Sequence, residues 1–416
     1  MRVAIVDALS TSRYLPGELR LHGIECVHVR SPFPDPHFAP DLSEFVECLG
    51  SDGGVEETAA QLRRLGVGFV VAGTESGVEF GDLLSVALGT PANGMERPQA
   101  RRNKYEMVLA LRDAGVPHAA TIVSRDAGEI VAWAEDEAGW PIVLKPVASA
   151  GTDHVVCCSS AAEVRSAYEL IVSATDRFGL PNTVVLAQEF LEGAEYFVNT
   201  VSRDGRHRTA EVWRYYKRRV RGGYVIFDHH EPIDPDDPDG QRVEQYTRRV
   251  LDALEIRNAA GHSEVMLTRR GPILVECGAR LGGGQVPEIN MRCLGMSQMH
   301  LQVLAIAKPD EFERLPEVAY ALRERPRHVS LINPLEEGVV PGDEALAAIR
   351  ALPSYAHTVM AHPAGSPIPR TIDVATQPGF VYLISEDREQ ILADYRTLRE
   401  IEEDYLYDPG RVPATA

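Results

Sequence analysis

The sequence predicts an α/β unit followed by α+β modules, in a multi-domain protein. Three observations carry this. Over the first ~95 residues, short apolar runs alternate with amphipathic helix-like stretches. Beyond them, strand-like runs joined by turn residues alternate with occasional helices. A chain of 416 residues also exceeds what one ordinary core serves, which implies two to four domains of roughly 100–150 residues.

Val3 to Ala8 (VAIVDA) reads as a buried parallel strand, and Val67 to Gly73 (VGFVVAG) as another, after an amphipathic helix stopped by Gly66. Val78 to Gly89 is helical again, completing a doubly wound N-terminal unit over 1–97. In RRNKYEMVLALRDAGVP, Asn103 is the expected N-cap, Glu106 completes a capping box, and Gly115-Val116-Pro117 stops the helix. Strands and two helices (Ala127–Ala138 and Ala161–Val172) fill a module over 98–190. A third module, 191–325, opens with a hairpin turning at Asp204-Gly205, followed by helices at Gln241–Leu254 and Gln298–Ala307. EPIDPDDPDGQ has the acids of a calcium loop but not their spacing, and reads as a loop and helix cap. The tail, 326–416, is an α+β extension ending in an amphipathic helix at Arg388–Tyr405.

Composition excludes several functions. A net charge of -19 argues against a generic nucleic-acid binder, which needs a cationic surface. There is no apolar run of about 18 residues, so no membrane partner is expected. The N-terminus reads as a strand, not a signal peptide. Six cysteines without a C-x-x-C pair indicate buried thiols in a reducing cytoplasm.

The chemistry concentrates in PILVECGARLGGG, Pro272 to Gly284. With Arg269-Arg270-Gly271 as a three-residue hairpin loop, Thr268 pairs with Pro272 and Glu264 stands directly across from Glu276. Carboxylates about 5 Å apart repel unless a proton or a cation joins them. Carboxylate-only ligation favours Mg²⁺ or Mn²⁺ over zinc. The alternative is two screened acids on a wet sheet face. Arg280 can grip a developing oxyanion, and the amides of Gly282, Gly283 and Gly284 suit a substrate anion. Lys145 ends an apolar strand before a small-residue loop, Ala148 to Thr152, which can cover phosphates through Ser149, Gly151 and Thr152. In QEFLEGAE, backbone groups of Glu189, Phe190 and Leu191 can meet an adenine edge, and Glu195 ribose hydroxyls.

Taken in order, Lys104, Lys145 with its loop, QEFLEGAE, Glu264, Glu276 and Arg280 resemble the ATP-grasp superfamily over residues ~1–310. The resemblance implies an ATP-grasp fold with an N-terminal pre-ATP-grasp domain, ATP held between two α+β lobes, and a C-terminal extension. It implies Lys104 and Lys145 on ATP phosphates, Glu264 and Glu276 on Mg²⁺, and Arg280 at an acyl-phosphate transition state. Many members carry Asn two residues after the second acid; here that residue is Gly278, which leaves the number of Mg²⁺ ions at one or two.

GARLGGGQVPEI is most similar to the L-amino acid ligase branch, which joins unprotected amino acids into dipeptides. The expected activity is therefore an ADP-forming carboxylate–amine ligase acting on small molecules. The alternatives are a carboxylase or purine-pathway ligase of the same superfamily, and a nucleotide-binding regulator. His229 and His230 follow GGYVIFD near the expected site. Either can orient a substrate, and His230 is the candidate for the amine's proton, against a structural role for both. Trp213 to Gly223 reads as a lid or hairpin beside the anionic site. Whether the chain forms a homodimer stays open.

Overall fold

The computed structural model describes residues 1–36, 39–149, 153–220, 225–408 and 410–411. The elements begin with β1 (Arg2–Val6), α1 (Leu15–Leu21), β2 (Glu25–Val29), β3 (Glu47–Leu49), α2 (Gly54–Arg64), β4 (Val67–Ala72) and α3 (Val78–Leu88). Next come α4 (Lys104–Asp113), β5 (Thr121–Ser124), α5 (Ala127–Trp133), β6 (Ile142–Pro146), β7 (Val156–Cys158), α6 (Ala161–Ser173) and β8 (Val185–Glu189). Then follow β9 (Gly193–Arg203), β10 (Arg206–Arg219), β11 (Val225–Pro232), α7 (Pro238–Ala253), β12 (Ala260–Thr268), β13 (Gly271–Gly278), α8 (Pro287–Leu294), α9 (Gln298–Ala307) and α10 (Pro309–Arg314). The tail holds β14 (Arg325–Ser330), β15 (Glu337–Val339), α11 (Asp343–Arg350), β16 (Tyr355–Met360), β17 (Pro367–Pro369), β18 (Gly379–Ser385) and α12 (Arg388–Asp404).

The chain forms two compact units. The first comprises Met1–Val212, Pro235–Met291 and Gly295–Ala321; the second comprises Trp213–Asp234, Arg292–Leu294 and Leu322–Ala416.

Three sheets position the first unit's chemistry. The N-terminal sheet is parallel, in the order β3-β2-β1-β4. It is apolar on both faces because both are covered. Ala4, Val6, Val27 and Val29 pack toward Leu62 and Leu84, while Val3, Ile5 and Cys26 pack with Leu15, Leu19, Met299 and Ile306. Just past the end of β4 lies Glu75. In open parallel sheets, the carboxyl ends of strands are where ligands bind.

The second sheet, β5-β8-β6-β7, is antiparallel. Ile142, Leu144, Val185 and Ala187 face the α5 and α6 core residues Ile130, Val164 and Ile171. Strand alternation therefore turns Lys145 and Gln188 to the other face.

The third set carries β13, β12 and β9 side by side, with β10 next. The β12–β13 turn differs from the expected one. Thr268 pairs with Gly271, not Pro272, so Arg269 and Arg270 form a two-residue loop. The Thr268 hydroxyl closes it, donating to the Gly271 carbonyl at 2.9 Å and accepting from Arg270 N at 3.1 Å. That register alone would put Glu264 opposite Val275. A bulge at Val275 absorbs one residue and restores Glu264 opposite Glu276.

In the second unit, β11 pairs with β14, β14 with β18, and β18 with β16. Val329, Val381, Leu383, Leu346 and Leu398 build its core between the sheet, α11 and α12. Asp228 is buried there, accepting from Arg399 at 2.9 Å and from the Tyr395 hydroxyl at 2.6 Å.

Sequence periodicity missed α1, β2 and α8, which are short segments without a full amphipathic repeat. Of the thiols expected to be buried, Cys26, Cys158, Cys277 and Cys293 are, while Cys48 and Cys157 are exposed. Among the described residues, no helix is long and apolar enough to cross a membrane.

Asn103 caps α4, its side chain accepting from Tyr105 N at 2.9 Å and Glu106 N at 3.2 Å. Asn103→Ala should lower stability by about 0.5–2 kcal/mol, read as an earlier denaturant midpoint at unchanged slope.

Candidate active site

The Asn103 cap sets Lys104 as the first residue of α4, and Lys104 N donates to the Val147 carbonyl at 2.8 Å, tying the helix start to the end of β6. From there the buried Lys104 ammonium donates to the Ser149 carbonyl at 2.7 Å and pairs with Glu276 Oε1 at 3.1 Å. Lys145, also buried, donates to Gln188 Oε1 at 3.0 Å. Burial, and then the like charge of Lys104, bring the Lys145 pKa down to about 8 against the pull of Glu276 and Glu264.

Arg280 lies just beyond β13. Its Nε donates to Glu75 Oε2 at 2.9 Å and its Nη1 to the Leu281 carbonyl at 2.9 Å. Arg102 Nη1 donates to the other Glu75 oxygen, also at 2.9 Å. Burial would raise the Glu75 pKa, but Arg102, Arg280 and Lys104 hold it down to about 2. Burial likewise opposes the charge on Arg280, yet Glu75, then Glu276 and Glu264, keep its pKa above the ordinary value.

Behind the facing acids runs a buried polar chain. The His262 Nε2 lies 3.7 Å from Glu264 Oε1, and its Nδ1 is 2.7 Å from Asn199 Oδ1. Asn199 Nδ2 donates to Glu211 Oε1 at 2.7 Å, and Asn290 Nδ2 to Glu211 Oε2 at 2.6 Å. Because Glu211 accepts from both amides, the Asn199 oxygen is turned to His262, and the His262 proton sits on Nδ1. A Cβ on Gly282 would lie 2.9 Å from both His262 Nδ1 and Asn199 Oδ1, so only glycine passes over this pair.

The structure thus brings Lys104, Lys145, Glu264, Glu276 and Arg280 into one electrostatic cluster. Ser149 borders it, its hydroxyl donating to Asp153 at 2.5 Å; Gly151 and Thr152 lie outside the described residues. The Glu189 carboxylate is held by Ala120 N at 2.8 Å and by Arg270 at 2.7 Å. Phe190 is exposed, Leu191 is half-buried, and Glu195 is buried on β9. Of the glycine amides, Gly282 N already donates to Gln298 at 2.7 Å, and Gly284 N makes a long bond to Ser10 at 3.3 Å.

His230 belongs to the second unit, buried among Trp213, Tyr215 and His328, with its ring stacked 3.9 Å from that of His328. His229 stacks on Tyr216, and its Nδ1 lies 2.7 Å from Asp228. Of Trp213–Gly223, residues 221–223 lie outside the described residues, and Trp213–Arg219 pairs with β11.

Sequence reasoning missed Glu75, Arg102, Gln188, Asn199 and Glu211. Two signals were present. Glu75 follows the carboxyl end of a parallel strand, and Asn199 and Glu211 stand beside the apolar pairs Phe197-Val198 and Val212-Trp213 in β9 and β10.

Residues 138–288 match the ATP-grasp domain family. Over 414 residues the chain is 32% identical to dapdiamide A synthase of Enterobacter agglomerans, covering 97% of this chain and 96% of that protein. It is 25% identical over 226 residues to an L-arginine-specific L-amino acid ligase of Bacillus subtilis, about half of each chain (52% and 52%). The fold is similar to that of an L-amino acid ligase from Bacillus licheniformis, with a TM-score of 0.74 at 19% identity over 96% of this chain and 97% of that one. It is also similar to an ATP-complexed carboxyaminoimidazole ribonucleotide synthase from Aspergillus clavatus, with a TM-score of 0.71 at 15% identity over 97% and 98%.

Glu211→Gln should leave one amide donor facing another. A loss of about 1–3 kcal/mol is expected, seen as a lower melting temperature.

Proposed function

The chain belongs to the ATP-grasp ligase family that includes dapdiamide A synthase, and from that premise we propose that it joins an amino acid or similar small acid, through its carboxylate, to the amine of a second amino acid, converting ATP to ADP and phosphate. The observation that supports this most is the pair of facing carboxylates, Glu264 and Glu276, flanked by Lys104, Lys145 and Arg280.

In this reading the substrate carboxylate attacks the γ-phosphorus, giving an acyl phosphate and ADP. The amine then attacks the acyl carbon, and phosphate leaves. Lys104 and Lys145 hold phosphate oxygens, with Ser149, Gly151 and Thr152 over them. Lys104 suits this because it already joins the hairpin acid to the Ser149 carbonyl. The Glu189, Phe190 and Leu191 backbone meets the adenine edge and Glu195 the ribose. Arg280 stabilises the charge that develops on the acyl oxygen. Gly283 is the glycine left to approach a substrate anion, since Gly282 and Gly284 already donate elsewhere.

Glu264 and Glu276 suit Mg²⁺, with Mn²⁺ as a substitute. Among the described residues no group of three or more His, Cys, Asp or Glu side chains gathers for a metal. Two carboxylates completed by substrate phosphates is the set that Mg²⁺ accepts. Bound there, the ion would neutralise charge on the phosphates.

ADP release in ATP and Mg²⁺ should appear with pairs of amino acids and not with single ones. Release with bicarbonate instead would favour a carboxylase. Glu276→Gln should abolish release while leaving the melting temperature near that of the wild type; near-normal turnover would count against the metal assignment.

Lys145 supplies a pH signature. Below about pH 8 it is charged before ATP arrives; above that it must first gain a proton. The affinity for a non-hydrolysable ATP analogue should therefore fall by up to about tenfold per pH unit above pH 8. Titration calorimetry of Lys145→Met should show that slope removed.

A further inference from the structure

Glu75 reaches the site from a loop distant in sequence, and its carboxylate lies where a side chain on Gly278 would otherwise stand. A Cβ at position 278 would fall 2.8 Å from Glu75 Oε2, closer than such atoms approach, and 3.3 Å from Arg280 Nε, a tight contact. A side chain at 278 would therefore push the Glu75 carboxylate from its present place on the Nε of Arg280.

We propose that Glu75 is a positioning residue that aims the Arg280 guanidinium at the reacting carboxyl, and that glycine at position 278 is retained in this chain to admit it. The inference rests on the ligase reading and adds to it a residue and a constraint outside the nucleotide and metal contacts.

The geometry carries the argument. Arg280 is fixed on two sides, its Nε by Glu75 and its Nη1 by the Leu281 carbonyl, both at 2.9 Å. Among the described residues its Nη2 makes no hydrogen bond, so that end of the fork is the one left for an oxyanion. Glu75 is in turn fixed by Arg102 at 2.9 Å, and the Arg102 guanidinium lies 4.8 Å from the Phe178 ring centre. A guanidinium held at defined points by a rigid acceptor requires little reorganisation when charge develops beside it. Two half-buried arginines this close would also repel without the anion between them, so Glu75 lets both occupy the site.

The test compares Gly278→Ala, Glu75→Gln and the double variant with the wild type in the ADP-release assay. Gly278→Ala alters no charge and presses on the contact between the Glu75 carboxylate and Arg280 Nε. Glu75→Gln keeps the volume and can accept from just one of the two arginines. Each should lower kcat by about ten- to a thousand-fold while KM for ATP stays within about twofold. The double variant should be no slower than the slower single variant, because both disturb one contact. If Gly278→Ala does not fold, Glu75→Gln carries the same kcat-against-KM comparison.

Wild-type kcat in the folded variants overturns the proposal. So does a loss confined to KM for ATP, or losses that multiply in the double variant. A wild type that releases no ADP with any amino-acid pair overturns this proposal and the ligase reading together. A turnover-competent wild type matched by its variants overturns only this one.

Discussion

A charge taken out of water must meet an opposite charge or give up its ionisation, and the centre of the first unit is arranged around that constraint. Lys104, Lys145, Arg102 and Arg280 share a region with Glu75, Glu264 and Glu276. Burial brings Lys145, whose ammonium donates to the Gln188 amide oxygen, down from 10.5 to about 8. Although its burial opposes this, Arg102 and Arg280 bring the Glu75 pKa down as well, to about 2, and for an acid that fall secures the charge instead of weakening it. The cluster is therefore not uniformly positive. It is a balanced set in which one lysine is held in reserve, its charge available to a polyanion at modest cost.

Each member arrives through a different local device. A side-chain cap sets Lys104, strand alternation turns Lys145 inward, a bulged hairpin brings the two acids abreast, and the carboxyl end of a parallel strand delivers Glu75. The second unit meets the same constraint for structural ends. Arg399 lies buried between Asp228 and Glu402, with Tyr395 and Tyr407 completing the hydrogen bonds.

Much of this was legible in the sequence wherever a residue's job is local. Asn103 announced a helix start, Asp204-Gly205 a turn, and Glu264 and Glu276 a facing pair. The legibility failed where the job depends on distant chain. Nothing near Glu75 in sequence signals Arg280, and Asn199 and Glu211 in their strands resemble ordinary interruptions until His262 and Asn290 fold against them. Gly278 reads as a missing ligand, and the sequence gives no sign that the Glu75 carboxylate would lie 2.8 Å from where its Cβ would stand. The hairpin pairing was also reached by a route the chain does not follow. A three-residue loop with a regular ladder and a two-residue loop with a bulge place the same two acids opposite one another.

That equivalence bears on how such proteins diverge. A relative could gain a residue at the Arg269-Arg270 tip and lose the extra one at Val275 with both carboxylates left in place, although an intermediate carrying only one change would swing one acid to the wrong face. In an alignment the two events would appear as an insertion and a nearby deletion, easily mistaken for noise in a loop. They would in fact be a compensated frameshift in three dimensions: the residues between the tip and the bulge would shift by one, while the spacing of the two glutamates and their facing geometry stood still.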